Sequence, residues 1–187
     1  MTHVYEKVET ERFKTRFVDG HEQIEIPARR NWFVIPFLIF WLCMWTLGGI
    51  MAFTSLLSDF SLFLIFWLCG WVIGWIFAAA TISWQLTGKE LVRTVGHDLE
   101  VGYQMLGFKR MKLYRGADVR KLTVDAAGNL MRYFQISIPF YHGANFGTLK
   151  FDYGAKTFRF GSGVEEAEAR AIIAKIAHKI PSTASAA

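Results

Sequence analysis

FLIFWLCMW at residues Phe37 to Trp45 recurs as FLIFWLCGW at Phe63 to Trp71, 26 positions later, with Met44 against Gly70 as the one difference. Each copy lies inside an apolar run without a charged side chain, Trp32 to Phe53 and Phe60 to Ile82. At about 1.5 Å per residue these runs make helices of about 33 and 34 Å, enough to cross a hydrocarbon core of about 30 Å. The connecting Thr54 to Asp59 is short, so the second helix returns antiparallel beside the first. The chain therefore reads as a membrane α-helical hairpin over 32–82 (32–53 and 60–82), with segments before and after it. The first run follows 31 residues of mixed charge and no small-residue cleavage pattern, which reads as a retained anchor.

A turn near residue 56 places Trp41 level with Trp71, Trp45 with Trp67 and Cys43 with Cys69. Trp67, Trp71 and Trp75 recur every four residues and share a helix face. Gly70, Gly74 and Ala78 form a small-residue row beside them, as Gly48 and Ala52 do on the first helix, and such rows let backbones approach closely. The seam reads as packing, within the hairpin or between protomers of a homo-oligomer. The alternative is a site for a flat apolar ligand such as a quinone, a pigment or a lipid tail. Cys43 and Cys69 read as small packing residues, and no cofactor is expected: no histidine lies in either span to hold a haem.

Charge sets the expected topology. Arg29 and Arg30 precede the first run and Lys89 and Arg93 follow the second, whereas the linker carries only Asp59. The positive-inside rule then puts both termini of a multi-pass membrane protein in the cytoplasm. Residues 1–31 hold six basic and six acidic groups, residues 83–187 fifteen and nine. The basic excess belongs to the C-terminal part, where an anionic leaflet would attract it.

In the segment 1–31, Thr10 to Val18 and His21 to Ile26 flank Asp19-Gly20, a turn pair for a β-hairpin. Asn31 is placed to cap the first helix. After the second run the pattern becomes alternating, with strands expected at Trp84–Val95, Leu99–Leu106, Met111–Tyr114, Val119–Asp125, Leu130–Ile138, Thr148–Asp152 and Thr157–Phe160. Ser162 to Glu165 reads as a capping box opening a helix over 164–179, with Ile172, Ile173, Ile176 and Ile180 inward and Glu165, Glu166, Glu168 and Arg170 outward. A domain over 83–180 that folds alone and a disordered tail over 181–187 complete the expected layout.

Seven antiparallel strands closed by a C-terminal helix resemble the pleckstrin-homology superfold. The likeness rests on Trp84 to Leu91 (WQLTGKEL), Gly116 to Leu122 (GADVRKL), Phe151 to Gly154 (FDYG) and Phe158 to Gly161 (FRFG). It implies an α+β PH-like domain, a seven-stranded antiparallel barrel with a C-terminal capping helix, as in bacterial PH-like membrane proteins. The layout is also similar to the two-helix photosystem I assembly factor of chloroplasts and cyanobacteria, including Thr81-Ile82-Ser83-Trp84 at the end of the second run.

The candidate lipid or partner surface is basic and aromatic. Lys109, Arg110, Lys112 and Arg115 cluster, and the resemblance places such residues where headgroup-binding families keep them. Tyr141, His142 and Phe146 lie in the longest irregular stretch, suited to a binding loop or one dipping into the interface. Gly161-Ser162-Gly163 at a helix start offers free N–H groups to an anion or serves as a plain cap. Asp98 and Glu100 share a strand face without further catalytic company. No phosphate loop, dinucleotide fingerprint, zinc spacing or nucleophile motif occurs, so the chain reads as no enzyme. The expected partners are membrane lipids and another membrane protein or complex rather than nucleic acid. The function this implies is scaffolding, assembly or regulation of a membrane protein complex.

Overall fold

The computed structural model describes residues 12–125 and 147–180. The chain runs β1 (Lys14–Val18), β2 (His21–Pro27), α1 (Val34–Ser58), α2 (Leu62–Thr87), β3 (Lys89–Val95), β4 (Asp98–Met105), β5 (Phe108–Tyr114), a 3-10 turn (Gly116–Asp118), β6 (Val119–Val124), β7 (Leu149–Tyr153), β8 (Lys156–Phe160) and α3 (Glu166–Ala177). The expected strand Leu130–Ile138 and the tail 181–187 fall outside the described residues.

Both long helices are long and apolar enough to cross a membrane. They extend past the expected ends. Thr54 and Ser55 donate their hydroxyls to the Met51 carbonyl and Ser58 to that of Thr54, which keeps these polar residues helical. The turn is therefore residues 59–61 and not Thr54 to Asp59, and Ser61 Oγ caps α2 by accepting from the Leu64 N–H. At the start of α1, Asn31 Oδ1 accepts from the N–H groups of Phe33 and Val34, as expected of a cap.

The second correction is at the other end of α2. Trp84 to Thr87, expected to open a strand, continue the helix: the Gly88 N–H closes on the Trp84 carbonyl at 2.7 Å and the Thr87 hydroxyl on that of Ser83. Strand β3 begins only at Lys89. The helical continuation carries Trp84 into full burial, with its ring edge-on to Tyr103. An alternating strand would have buried the same residue, so the pattern alone favoured neither.

The Asp19-Gly20 turn forms as expected, with both residues at positive φ (54° and 76°), the geometry of a type I′ hairpin. The hairpin is not a separate unit. β2 pairs with β3, giving a five-stranded antiparallel sheet in the order β1-β2-β3-β4-β5. Pro27 stands opposite Lys89, and the Ala28 N–H donates to the Gly88 carbonyl at 3.0 Å. The two long helices are thus an insertion at the tip of a β2–β3 hairpin. The remaining described strands form a second sheet, β6-β7-β8, with a bulge between Arg120 and Thr123. The fold class is α+β, but the described strands make two sheets that are not closed into the expected barrel. Exposed lysines and arginines along β1 and β5 shield the edges of the larger sheet.

One core joins both sheets to α3. Ile24 and Ile26 of β2, Val92, Leu99 and Tyr114 meet Phe151, Phe160, Ile172, Ile176 and Ile180, all buried. The capping box lies three residues later than expected. Glu165 is the N-cap and exchanges hydrogen bonds with Glu168, while Ser162 turns to Glu90 instead. Glu168 is accordingly buried, not solvated, and also accepts from the Arg12 N–H at 2.7 Å.

The turn that follows α3 is tied back to β2 by Lys179 Nζ on Glu22 at 2.7 Å. The Lys179 hydrogen bond holds the Glu22 carboxyl below the ordinary carboxylate range, against a smaller opposing desolvation. A carboxyl lowered in the folded state stabilises fully above its unfolded pKa and loses that contribution as pH falls through the lowered folded value. The Glu22→Gln variant is therefore expected to melt below the parent at neutral pH and to converge with it in acid. A melting-temperature gap that persists at low pH would refute this assignment.

Candidate functional site

The helical seam is tighter than the repeat implied, and its register differs. With the turn at 59–61 rather than near 56, Trp45 stacks on Trp71 at 6.2 Å and 29°, not level with Trp67. Trp41 packs on Trp45, and Trp75 Nε1 donates to Thr46 Oγ1 across the hairpin at 2.9 Å. Trp67 faces outward, 43% exposed, so the stripe divides between seam and surface. Gly70 and Gly48 meet nothing on the described chain, whereas Gly74 lies against the Trp45 ring. Within the seam, the residue that most needs to be glycine is one the spacing did not single out. Gly49 is buried, and a Cβ there would clash with the Trp71 ring. Both cysteines are exposed, so they do not serve the seam as packing residues.

Gly49→Leu is expected to disrupt the hairpin more than Gly74→Leu, because Trp71 is already held by Trp45 and cannot swing aside. Overpacking of this kind costs about 1–3 kcal/mol. Thermal unfolding in detergent, followed by tryptophan emission, ranks the two. Equal melting temperatures would show that Trp71 does not fill the Gly49 gap.

The basic strand does not form one patch. Alternation along β5 sends Lys109 to one face, where Nζ donates to Gln23 Oε1 at 3.1 Å, and Arg110 and Lys112 to the other. Lys112 lies 5.1 Å from the ring centres of Tyr114 and Phe158. Arg115 flanks the 3-10 turn. Tyr141, His142 and Phe146 lie outside the described residues. The N–H groups of Gly161 and Ser162 already donate to the buried Glu90 carboxylate, so a side chain takes the place of the expected anion. Glu100 is paired with Arg93, and Asp98 accepts from the Gly116 N–H.

A different set of residues converges where the helices leave the sheet. Strand register puts Pro27, Lys89 and the β4–β5 turn at the same end of the sheet as the termini of α1 and α2. There the Leu106 N–H donates to the Thr87 hydroxyl at 3.3 Å. Leu106 and Phe108 of that turn are exposed, Phe108 to 82%, and so are Trp32 and Phe33 just before α1. Beside this apolar rim lies an open groove of about 620 Å³ lined by Arg12, Lys14, Arg16, Arg29, Arg30 and Lys89, with Glu25 as its one acid. Sequence spacing gave no sign of it, because Arg12 and Arg30 are far apart and the 1–31 segment has equal numbers of acids and bases. Among the described residues no three potential metal-ligating side chains come together.

The chain matches no known protein family, no curated protein and no solved structure.

Proposed function

We propose that the protein is a non-enzymatic, two-pass anchor of the inner membrane, both termini cytoplasmic, whose PH-like α+β domain scaffolds, assembles or regulates another membrane protein complex. The observation that carries this reading is the junction. α2 passes without a break from a long apolar stretch into the sheet, where Trp84, Thr81 and Gln85 are buried. Phe37, Phe40, Met51, Phe63 and Phe66 are exposed, as expected of helices whose apolar sides meet lipid. A rigidly held domain at a bilayer surface suits holding partners in place. The described side chains offer no assembled acid–base or nucleophilic group beside a cleft.

Affinity purification in mild detergent tests this, together with reporters fused at each end. A stoichiometric membrane-protein partner and cytoplasmic activity at both termini are expected. Purification of the chain alone at every detergent strength, or periplasmic activity at either end, would overturn the reading. The runner-up, a subunit binding lipid, quinone or pigment along the tryptophans, draws support from the buried Trp45 indole N–H, which has no acceptor among the described residues. Trp71→Leu separates the two: release of a stoichiometric compound with the fold intact favours the ligand site, and a stability loss with nothing released favours packing.

A further inference from the structure

We infer that the groove lined by β1, β2, the segment leading into α1 and the start of β3 is a binding site for the phosphate of an anionic phospholipid headgroup. The inference rests on the membrane-anchor reading and adds a ligand class and a location to it. Six cations face the groove against the single carboxylate of Glu25. That carboxylate is shared by Lys89 at 3.2 Å and Arg16 at 3.9 Å, so it offsets a small part of the charge. Arg12 is drawn off towards Glu165 at 3.5 Å, and Arg30 donates one N–H to the Leu86 carbonyl. Lys14 and Arg29 have no partner among the described residues. Cations left unpaired and gathered in a concavity repel one another, and an anion relieves that repulsion.

Position selects the source of the anion. α1 and α2 have 25 and 26 residues, about 38 and 39 Å at 1.5 Å per residue. With the 59–61 turn at one boundary of a hydrocarbon core of about 30 Å, their other ends stand about 8 Å beyond the opposite boundary, in the headgroup layer. Arg29 and Arg30 lie within five residues of the start of α1, and Lys89 lies two after the end of α2. The exposed Trp32, Phe33, Leu106 and Phe108 share this end, an apolar and aromatic rim of the kind that settles at a bilayer interface. A cluster of basic residues immediately beyond the membrane ends of two helices is an arrangement that attracts acidic headgroups. A groove of about 620 Å³ is ample for one.

The test uses the full chain in a neutral detergent, with bound lipid counted by native mass spectrometry against phosphatidylglycerol, cardiolipin or phosphatidylcholine. Retention of the two anionic lipids and little of the zwitterionic one is expected. Lys14→Gln with Arg29→Gln and Arg30→Gln is expected to weaken that retention about a hundred-fold, from roughly five-fold per basic residue. Lys109→Gln with Arg110→Gln and Lys112→Gln removes the same charge from β5 and is expected to change it less than three-fold. Circular dichroism of both variants checks that they fold.

Equal losses in the two triple variants, or equal binding of all three lipids, would overturn the site. Full displacement by millimolar inorganic phosphate would assign the groove to a free anion and overturn the lipid source. Release of the chain from membranes by alkaline carbonate would sink the anchor reading underneath. Retention there without anionic preference would sink the groove alone.

Discussion

A chain in which residues 28–88 are replaced by an Asn-Gly turn is expected to be water-soluble and to melt cooperatively, whereas a chain beginning at Ser83 is expected to remain unfolded. The difference lies in β1 and β2. Pro27 and Lys89 are already cross-strand partners, so a two-residue type I′ turn can join them without moving either strand. No member of the hydrophobic core comes from residues 28–88; the excision gives up the Trp84 packing on Tyr103 but keeps the core. Starting at Ser83 instead removes Phe13, Ile24 and Ile26 from that core and strips the backbone partner from β3. Burying each such side chain contributes about 1.5–3 kcal/mol. Losing three takes away about 5–9 kcal/mol, comparable to the net stability of about 5–15 kcal/mol of an ordinary domain. Far-UV circular dichroism with thermal melting decides it. A cooperative transition in the Ser83 chain would mean that β2 is an accessory to the sheet and not part of its foundation.

Ile176→Asp is expected to unfold the domain while leaving the helical hairpin in the membrane. Ile176 is 3% exposed, on the face of α3 that also buries Ile172. The substitution removes apolar contact worth about 2–5 kcal/mol and places a carboxylate among Phe151, Phe160 and the isoleucines. Burial of an unpaired charge adds a cost of several kcal/mol more. The sum reaches the total stability. Ile173→Asp, three positions earlier in the helix and only half-buried, is expected to be milder, and limited proteolysis of membranes carrying each variant compares them. Equal resistance would place the buried face of α3 elsewhere.

How much of this was legible before the structure depended on whether the deciding interaction was local. The apolar runs, the Asp19-Gly20 turn and the buried Ile172 and Ile176 of α3 all follow from patterns a few residues long, and they stand where expected, whereas Ile173 is half-buried and Ile180 lies beyond the helix. The ends of the long helices depended on which hydrogen bond a Thr or Ser made. Thr54, Ser55, Ser58 and Thr87 carry hydroxyls that serve a loop as well as a helix, and here they bond back to the preceding turn. The four-residue error in the turn then moved every interhelical pairing, so Trp45 met Trp71. The capping shift has a similar origin. Ser162 suits an N-cap, but Glu90, 72 positions earlier in the chain, takes its hydroxyl and its N–H.

The basic groove was the least legible feature. Five of the six basic residues in 1–31 come to one place with Lys89 only because β1 folds back on β2 and β2 joins β3. Counted along the chain, that segment is neutral. Folded, its charge is sorted. The β5 cluster shows the converse: four basic residues within seven positions look like a patch, but the strand divides Lys109 from Arg110 and Lys112, and Arg115 lies beyond its end.

In the proposed anchor, a helix that runs directly into a strand leaves no hinge between bilayer and domain. Transmembrane helices tilt by about 20° on average, and more where the hydrophobic stretch exceeds the local bilayer thickness. With Trp84 locked beneath the strands and Gly88 leading directly into β3, any such tilt of α2 turns the sheet through the same angle. On that reading, the domain's pose over the leaflet becomes a readout of membrane thickness, and a partner docked on it would feel the bilayer as a change in orientation.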